Sequence, residues 1–172
     1  MDINEFLISN PLFSSFSHPE LDVLAKALMV ERYPEGHVLM KEGQRGDALY
    51  MILDGKVSVT RLNRHDRSIE HLHTMTKGEL FGLIALIDHG KRTATCTAVG
   101  EVTAASLPVS AFELLYDSNV PIAHHFQYLV ARQLAHDLRA LNVALLDILF
   151  SRKEGVPREL RAVPHEFSEP SL

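Results

Sequence analysis

Between residues 38 and 107 the chain falls into short apolar runs separated by glycine, and this pattern constrains its fold more than any other feature. Strand candidates occupy 38–40, 48–53, 56–62, 68–74, 94–99 and 101–107, with Gly36, Gly43, Gly46, Gly55, Gly78, Gly90 and Gly100 as punctuation. Several short strands at such spacing point to a barrel or a double-sheet roll.

Helical signals flank this region. Ser17-His18-Pro19-Glu20 reads as a capping box with proline in the first turn, and Leu21, Leu24 and Leu28 follow at helical spacing. A short helix is therefore predicted over 17–29. Ser110 and Glu113 form a second box after Pro108, predicting a short helix that ends near Ser118. Beyond Pro121 neither glycine nor proline interrupts the chain up to residue 150, so a long helix is predicted over 121–150. On it Leu134, Leu138, Leu141, Leu145 and Ile148 are spaced 4, 3, 4, 3, the 3.5-residue period of a coiled-coil seam. Such a stripe packs on the chain's own sheet or on a second copy. Phe126, Leu129 and Val130 offer a separate apolar patch for the domain core, which favours a parallel helix-to-helix homodimer through the stripe. The tail, 151–172, has three prolines and eight charged residues and reads as irregular, too short for a helix-turn-helix domain.

A chain of 172 residues is expected to bury one core, so residues 1–150 are read as a single domain. A formal charge of -5 has the wrong sign for a domain that binds phosphate backbones, which argues against direct nucleic-acid binding. Cys96 is the one cysteine, so no internal disulfide forms. The start, MDINEFLISN, lacks the basic and apolar regions of a secretory signal, and no apolar run is long enough to insert in a bilayer. The expected compartment is the cytoplasm.

The segment GELFGLIALIDHGKRTATCTA, residues 78–98, carries the functional reading. A phosphate site needs backbone N–H groups free to point at the anion and a fixed cation. Gly82 lets the backbone approach closely, Leu83, Ile84, Ala85 and Leu86 form a single helical turn whose first amides face an anion, and Arg92 supplies the guanidinium fork.

This segment resembles the phosphate-binding cassette of the cyclic-nucleotide-binding domain family, whose members include catabolite-activator-type regulators, protein kinase A regulatory subunits and cyclic-nucleotide-gated channels. Upstream residues match as well: Pro34-Glu35-Gly36-His37-Val38-Leu39, Glu42-Gly43, Gly46-Asp47-Ala48-Leu49-Tyr50-Met51-Ile52 and Asp54-Gly55-Lys56-Val57. The resemblance covers about residues 12–150. It implies a mainly β fold, an eight-stranded antiparallel, jelly-roll-like β-roll with N-terminal helices and a long C-terminal helix. It implies cAMP or cGMP as ligand, and a regulatory module rather than an enzyme. By the same resemblance Arg92 pairs with the cyclic phosphate, Thr93 supplies a neighbouring hydroxyl, and amides near Leu83, Ile84, Ala85 and Thr93 complete the cradle. The chain departs from the family at one position. Where the family places a glutamate that accepts from the ribose 2′-hydroxyl, this chain has Leu83.

Two other readings stay open: a degenerate roll used as a protein-interaction scaffold, and a cupin-like metalloenzyme. His71 and His73 lie two apart on a predicted strand and invite a metal, but Glu79 is not at the cupin distance and no third histidine follows in a second motif, so no metal is expected. Adjacent His124 and His125 diverge on a helix and read as surface residues, and Cys96 reads as a packed side chain. With no catalytic or DNA-binding domain expected, output would pass to an effector protein.

Overall fold

The computed structural model describes residues 2–63, 65–117 and 120–151. Six antiparallel strands make its centre: β1 (Met29–Tyr33), β2 (Val38–Met40), β3 (Ala48–Leu62), β4 (Ile69–Thr76), β5 (Leu80–Phe81) and β6 (Thr95–Pro108). Their order is β1-β6-β3-β4, with β2 also on β6 and β5 also on β3. Two pairs of predicted strands prove to be single long ones. The segments 48–53 and 56–62 join in β3, and 94–99 and 101–107 join in β6. Gly55 bends β3 without ending it: φ is +89°, and the register against β6 shifts on both sides of Asp54. A Cβ at Gly55 would stand 2.5 Å from the Glu101 carbonyl oxygen, so only glycine lets the strands pass this closely. The bend lets one strand pair twice, Tyr50 with Phe81 of β5 and Val57 with Met75 of β4. Hence six strands do the work of the eight that the resemblance implied.

The residue-level reading missed β1 and placed no helix before residue 17, whereas β5 is the strand expected at the start of the Gly78 segment. Helix α1 (Ile3–Ser9) is capped by Asp2, whose carboxylate accepts from the Asn4 N–H at 2.9 Å. After a 3-10 turn at Pro11–Phe13, α2 (His18–Ala27) stops short of the predicted end because Leu28 is already extended and Met29 opens β1. β1 is almost wholly exposed, so it lacks the alternation that marks a strand. α3 (Leu83–Ile87) is the short turn predicted after Gly82. α4 (Val109–Asp117) begins one residue earlier than expected, with the Val109 N–H donating to the Asp47 carbonyl at 2.8 Å, so Ser110 sits inside the first turn. α5 (Pro121–Ser151) matches the predicted long helix. No described helix is long and apolar enough to cross a membrane.

Among the described residues, those up to 131 form one compact unit and those of 132–151 belong to a second. In the first, the opening half of β3 is buried on both faces. Tyr50, Ile52 and Val57 join Leu39, Phe81 and Cys96 in the cluster inside the roll. Leu49 and Met51 face instead a cleft shared with Phe13, Leu24, Phe126 and Leu129 of the helices. The predicted core patch Phe126, Leu129 and Val130 is buried. In the second unit Leu138, Leu141 and Leu145 are 59%, 67% and 54% exposed, and Leu134 is partly so. The Ile148 side chain and the tail 152–172 lie outside the described residues.

Candidate functional site

The site is built where β5 turns into α3. Gly82 stands at φ +91°, ψ 5°, and ends the strand while opening the helix. That left-handed turn leaves room for a side chain from elsewhere: a Cβ at Gly82 would lie 2.6 Å from Nη1 of Arg92. The Arg92 guanidinium fills the space. Nη1 donates to the Gly82 carbonyl at 2.7 Å, and Nη2 donates to the Ala48 carbonyl at 2.6 Å and to Asp47 Oδ1 at 2.8 Å. Its side chain is 2% exposed while that of Asp47 is 77% exposed, so the ion pair runs from the interior to the surface.

The backbone around Arg92 is equally fixed. Its N–H donates to the Gln44 carbonyl at 2.8 Å, and its carbonyl accepts from the Gly43 N–H at 2.9 Å. The tight approach continues at Gly46, where a Cβ would meet the Ala85 Cβ at 2.9 Å, so α3 rests directly on that backbone. Along α3, Leu83, Ala85 and Leu86 are buried and Ile84 is half exposed. Thr93 is exposed beside Arg92. The sequence-predicted residues Gly82, Arg92 and the first turn of α3 are thus brought together. Leu83, although buried, is not in the apolar cluster inside the roll.

Asp47 is the residue that sequence reasoning passed over. It lay within a quoted motif, Gly46-Asp47, but carried no role there because its meaning depends on a partner 45 residues away. Its side chain holds Arg92 and its backbone carbonyl holds the first N–H of α4, so one residue touches both the cation and the helix that follows the roll. Deeper in, Tyr50 and Phe81 stack with ring centroids 5.2 Å apart. Burial raises the Tyr50 hydroxyl pKa; Asp47 adds to the rise and Arg92 opposes it. Cys96 is 1% exposed and burial pushes its thiol up to about 12, which fits a packed side chain and not a nucleophile.

The histidines separate. His71 and His73 are exposed on β4, and a bulge at Leu72, where Val59 pairs with His73 but Thr60 with His71, breaks the alternation that would align them. No group of three metal-ligating side chains occurs among the described residues. His124 is exposed, and the His125 side chain, 40% exposed, also has a partner: Nδ1 lies 2.9 Å from Glu20 Oε1 and the ring packs on Phe16, a pairing that crosses from α5 to α2 and so was invisible in sequence.

Comparison with known proteins bears on this geometry. The profile of a family described as "Cyclic nucleotide-binding domain" matches residues 30–119. A CRP-like cAMP-activated global transcriptional regulator of Mycobacterium tuberculosis is 30% identical over 167 residues, covering 96% of this chain and 72% of that protein. The chain belongs to the cyclic nucleotide-binding domain family. The cAMP-dependent protein kinase type II regulatory subunit of Drosophila melanogaster is 38% identical over 112 residues, 64% of this chain but 29% of that protein. A crystal structure of a cyclic nucleotide-binding domain from Methylobacillus flagellatus superposes with a TM-score of 0.74 at 25% identity, covering 84% of this chain and 81% of that one. The antiparallel β-roll with flanking helices is therefore the family fold, and this cyclic nucleotide-binding domain builds it with Gly82 and Arg92 in contact.

Proposed function

We propose that this domain senses a cyclic nucleotide, cAMP or cGMP, or a related phosphate-bearing ligand, and passes the signal to a partner protein through α5. It acts in this reading as a cytoplasmic, non-catalytic homodimer. The observation that carries the reading is Arg92, the one buried charged residue among the described residues, set against the left-handed turn that opens α3. A guanidinium has five N–H donors, and the three bonds to protein leave two for an anion. The first amides of α3, at Leu83, Ile84 and Ala85, have no helical acceptor and are further donors next to Gly82 in the chain, as the amide and hydroxyl of exposed Thr93 are next to Arg92. A ligand that binds one arrangement of the roll and helices better would bias α5 toward it. The exposed stripe of Leu138, Leu141 and Leu145, with partly exposed Leu134, is the surface through which two copies would pair.

Calorimetry with cAMP and cGMP tests the reading, with Arg92→Lys as control. Lysine keeps the charge but loses the fork, so binding of the preferred nucleotide should fall roughly 10-fold or more. Absence of heat with either nucleotide rejects it. A second reading, a roll that has become a protein-interaction scaffold, is favoured by Leu83, which offers no acceptor to a sugar hydroxyl, and by the three protein acceptors already on Arg92.

A further inference from the structure

We propose that the Glu20 carboxylate is a latch that holds the first turns of α5 on α2 and makes that hold depend on the capping of α2. Each carboxylate oxygen serves a different element. Oε2 accepts from the Ser17 N–H and from the Ser17 hydroxyl, both at 2.8 Å, closing the capping box of α2. Oε1 lies 2.9 Å from His125 Nδ1 on α5. An ionised carboxylate only accepts, so Nδ1 carries the proton and donates. The Glu20 side chain is 15% exposed and that of His125 40%, so the bond sits at the edge of the apolar contact, partly shielded from water. The His125 ring also packs on Phe16, with centroids 5.6 Å apart at 58°. Ser17 does not touch α5 through any of these bonds, yet it fixes the rotamer that aims Oε1 at the imidazole. Ser17's backbone N–H is the foremost cause holding the Glu20 carboxyl below its ordinary range; burial opposes it, and the Ser17 hydroxyl and His125 add to it.

The coupling follows from the shared side chain. If α2 frays at its first turn, Glu20 is free to rotate and α5 loses its hold, although Phe126 remains seated in the cleft below. If α5 leaves, Glu20 loses its bond to His125 and is less constrained in the cap. The coupling is therefore reciprocal, and the order of the N-terminal helix and the seating of the helix after the roll favour each other. It needs no ligand and is independent of what Arg92 binds.

Backbone hydrogen exchange tests it on the full chain in wild type, His125→Phe, Ser17→Ala and the double variant. Phenylalanine keeps the ring contact with Phe16 and removes only the donor. The expected result is about 10-fold faster exchange at the amides of 125–129 in His125→Phe. A rise in the same amides is expected in Ser17→Ala, and no further rise in the double variant. Exchange in β3 and β6 stays unchanged and shows that each variant is folded. Unchanged exchange at 125–129 in folded Ser17→Ala, or additive effects in the double variant, overturns the proposal.

Discussion

Gly82, Leu83 and Arg92 show how much of the site rests on single atoms. The Gly82 backbone at φ +91° places its carbonyl 2.7 Å from Nη1 of Arg92, and any side chain there would meet the guanidinium. At Leu83 the nucleotide reading and the scaffold reading part. Under the first, Leu83→Glu supplies an acceptor for the ribose 2′-hydroxyl and strengthens cAMP or cGMP binding roughly 10-fold or more. A 2′-deoxy cyclic nucleotide lacks the donor, so its affinity should not rise. Titration of wild type and variant with both ligands checks this. A well-folded variant with no ribo-selective gain favours the scaffold, and the 4% exposure of Leu83 means the fold of the variant must be verified first.

Among the elements, α2 and α5 are joined by the bond between Glu20 and His125. α2 draws its first-turn stability from Ser17 and Glu20, and the carboxyl is held below its ordinary range chiefly by the Ser17 N–H. A group whose folded pKa is lowered stabilises when ionised, so its contribution is complete at neutral pH and is lost as pH falls through the folded value. Glu20→Gln should therefore lower stability by about 0.5–2 kcal/mol at pH 7. The gap from wild type should close in acid, as thermal melts at both pH values would report. α5 is legible as a helix throughout, but its two stretches differ in fate. Phe126, Leu129 and Val130 are buried in the first unit, whereas the leucines of the 4-3-4-3 stripe at 138, 141 and 145 remain exposed.

At the scale of the molecule that exposed stripe sets the expected assembly. Replacing Leu138 and Leu145 by glutamate should convert a dimer into a folded monomer, because apolar burial in a seam contributes only when two helices meet. Light scattering decides it, and a wild-type monomer at roughly tens of micromolar, where a seam of this kind should associate, removes the seam reading. Cys96 reports on the whole fold. Its thiol is 1% exposed and pushed up to about 12, so a thiol reagent should react only through unfolding. The labelling rate should thus follow denaturant as global stability does, and rapid labelling of the native chain at pH 8 would contradict this.

What the sequence determined by itself was everything carried by local period and by short motifs. The long helix, the capping box at Ser17, the glycine-bounded strands and the Gly82 to Arg92 segment were all legible because each signal lies within a few residues or within one motif. Only the tertiary structure decided what depends on contact between distant residues. Gly55 reads as a strand end in sequence, and becomes a bend because β6 passes close enough to continue the pairing. Strand β1 has no alternation to detect and exists because β6 pairs with it. Asp47 and His125 acquired their roles from partners 45 and 105 residues away, Arg92 and Glu20. Local pattern records which backbone conformation a segment prefers, but a hydrogen bond between elements is set by how they pack, and that information is held by the whole chain at once.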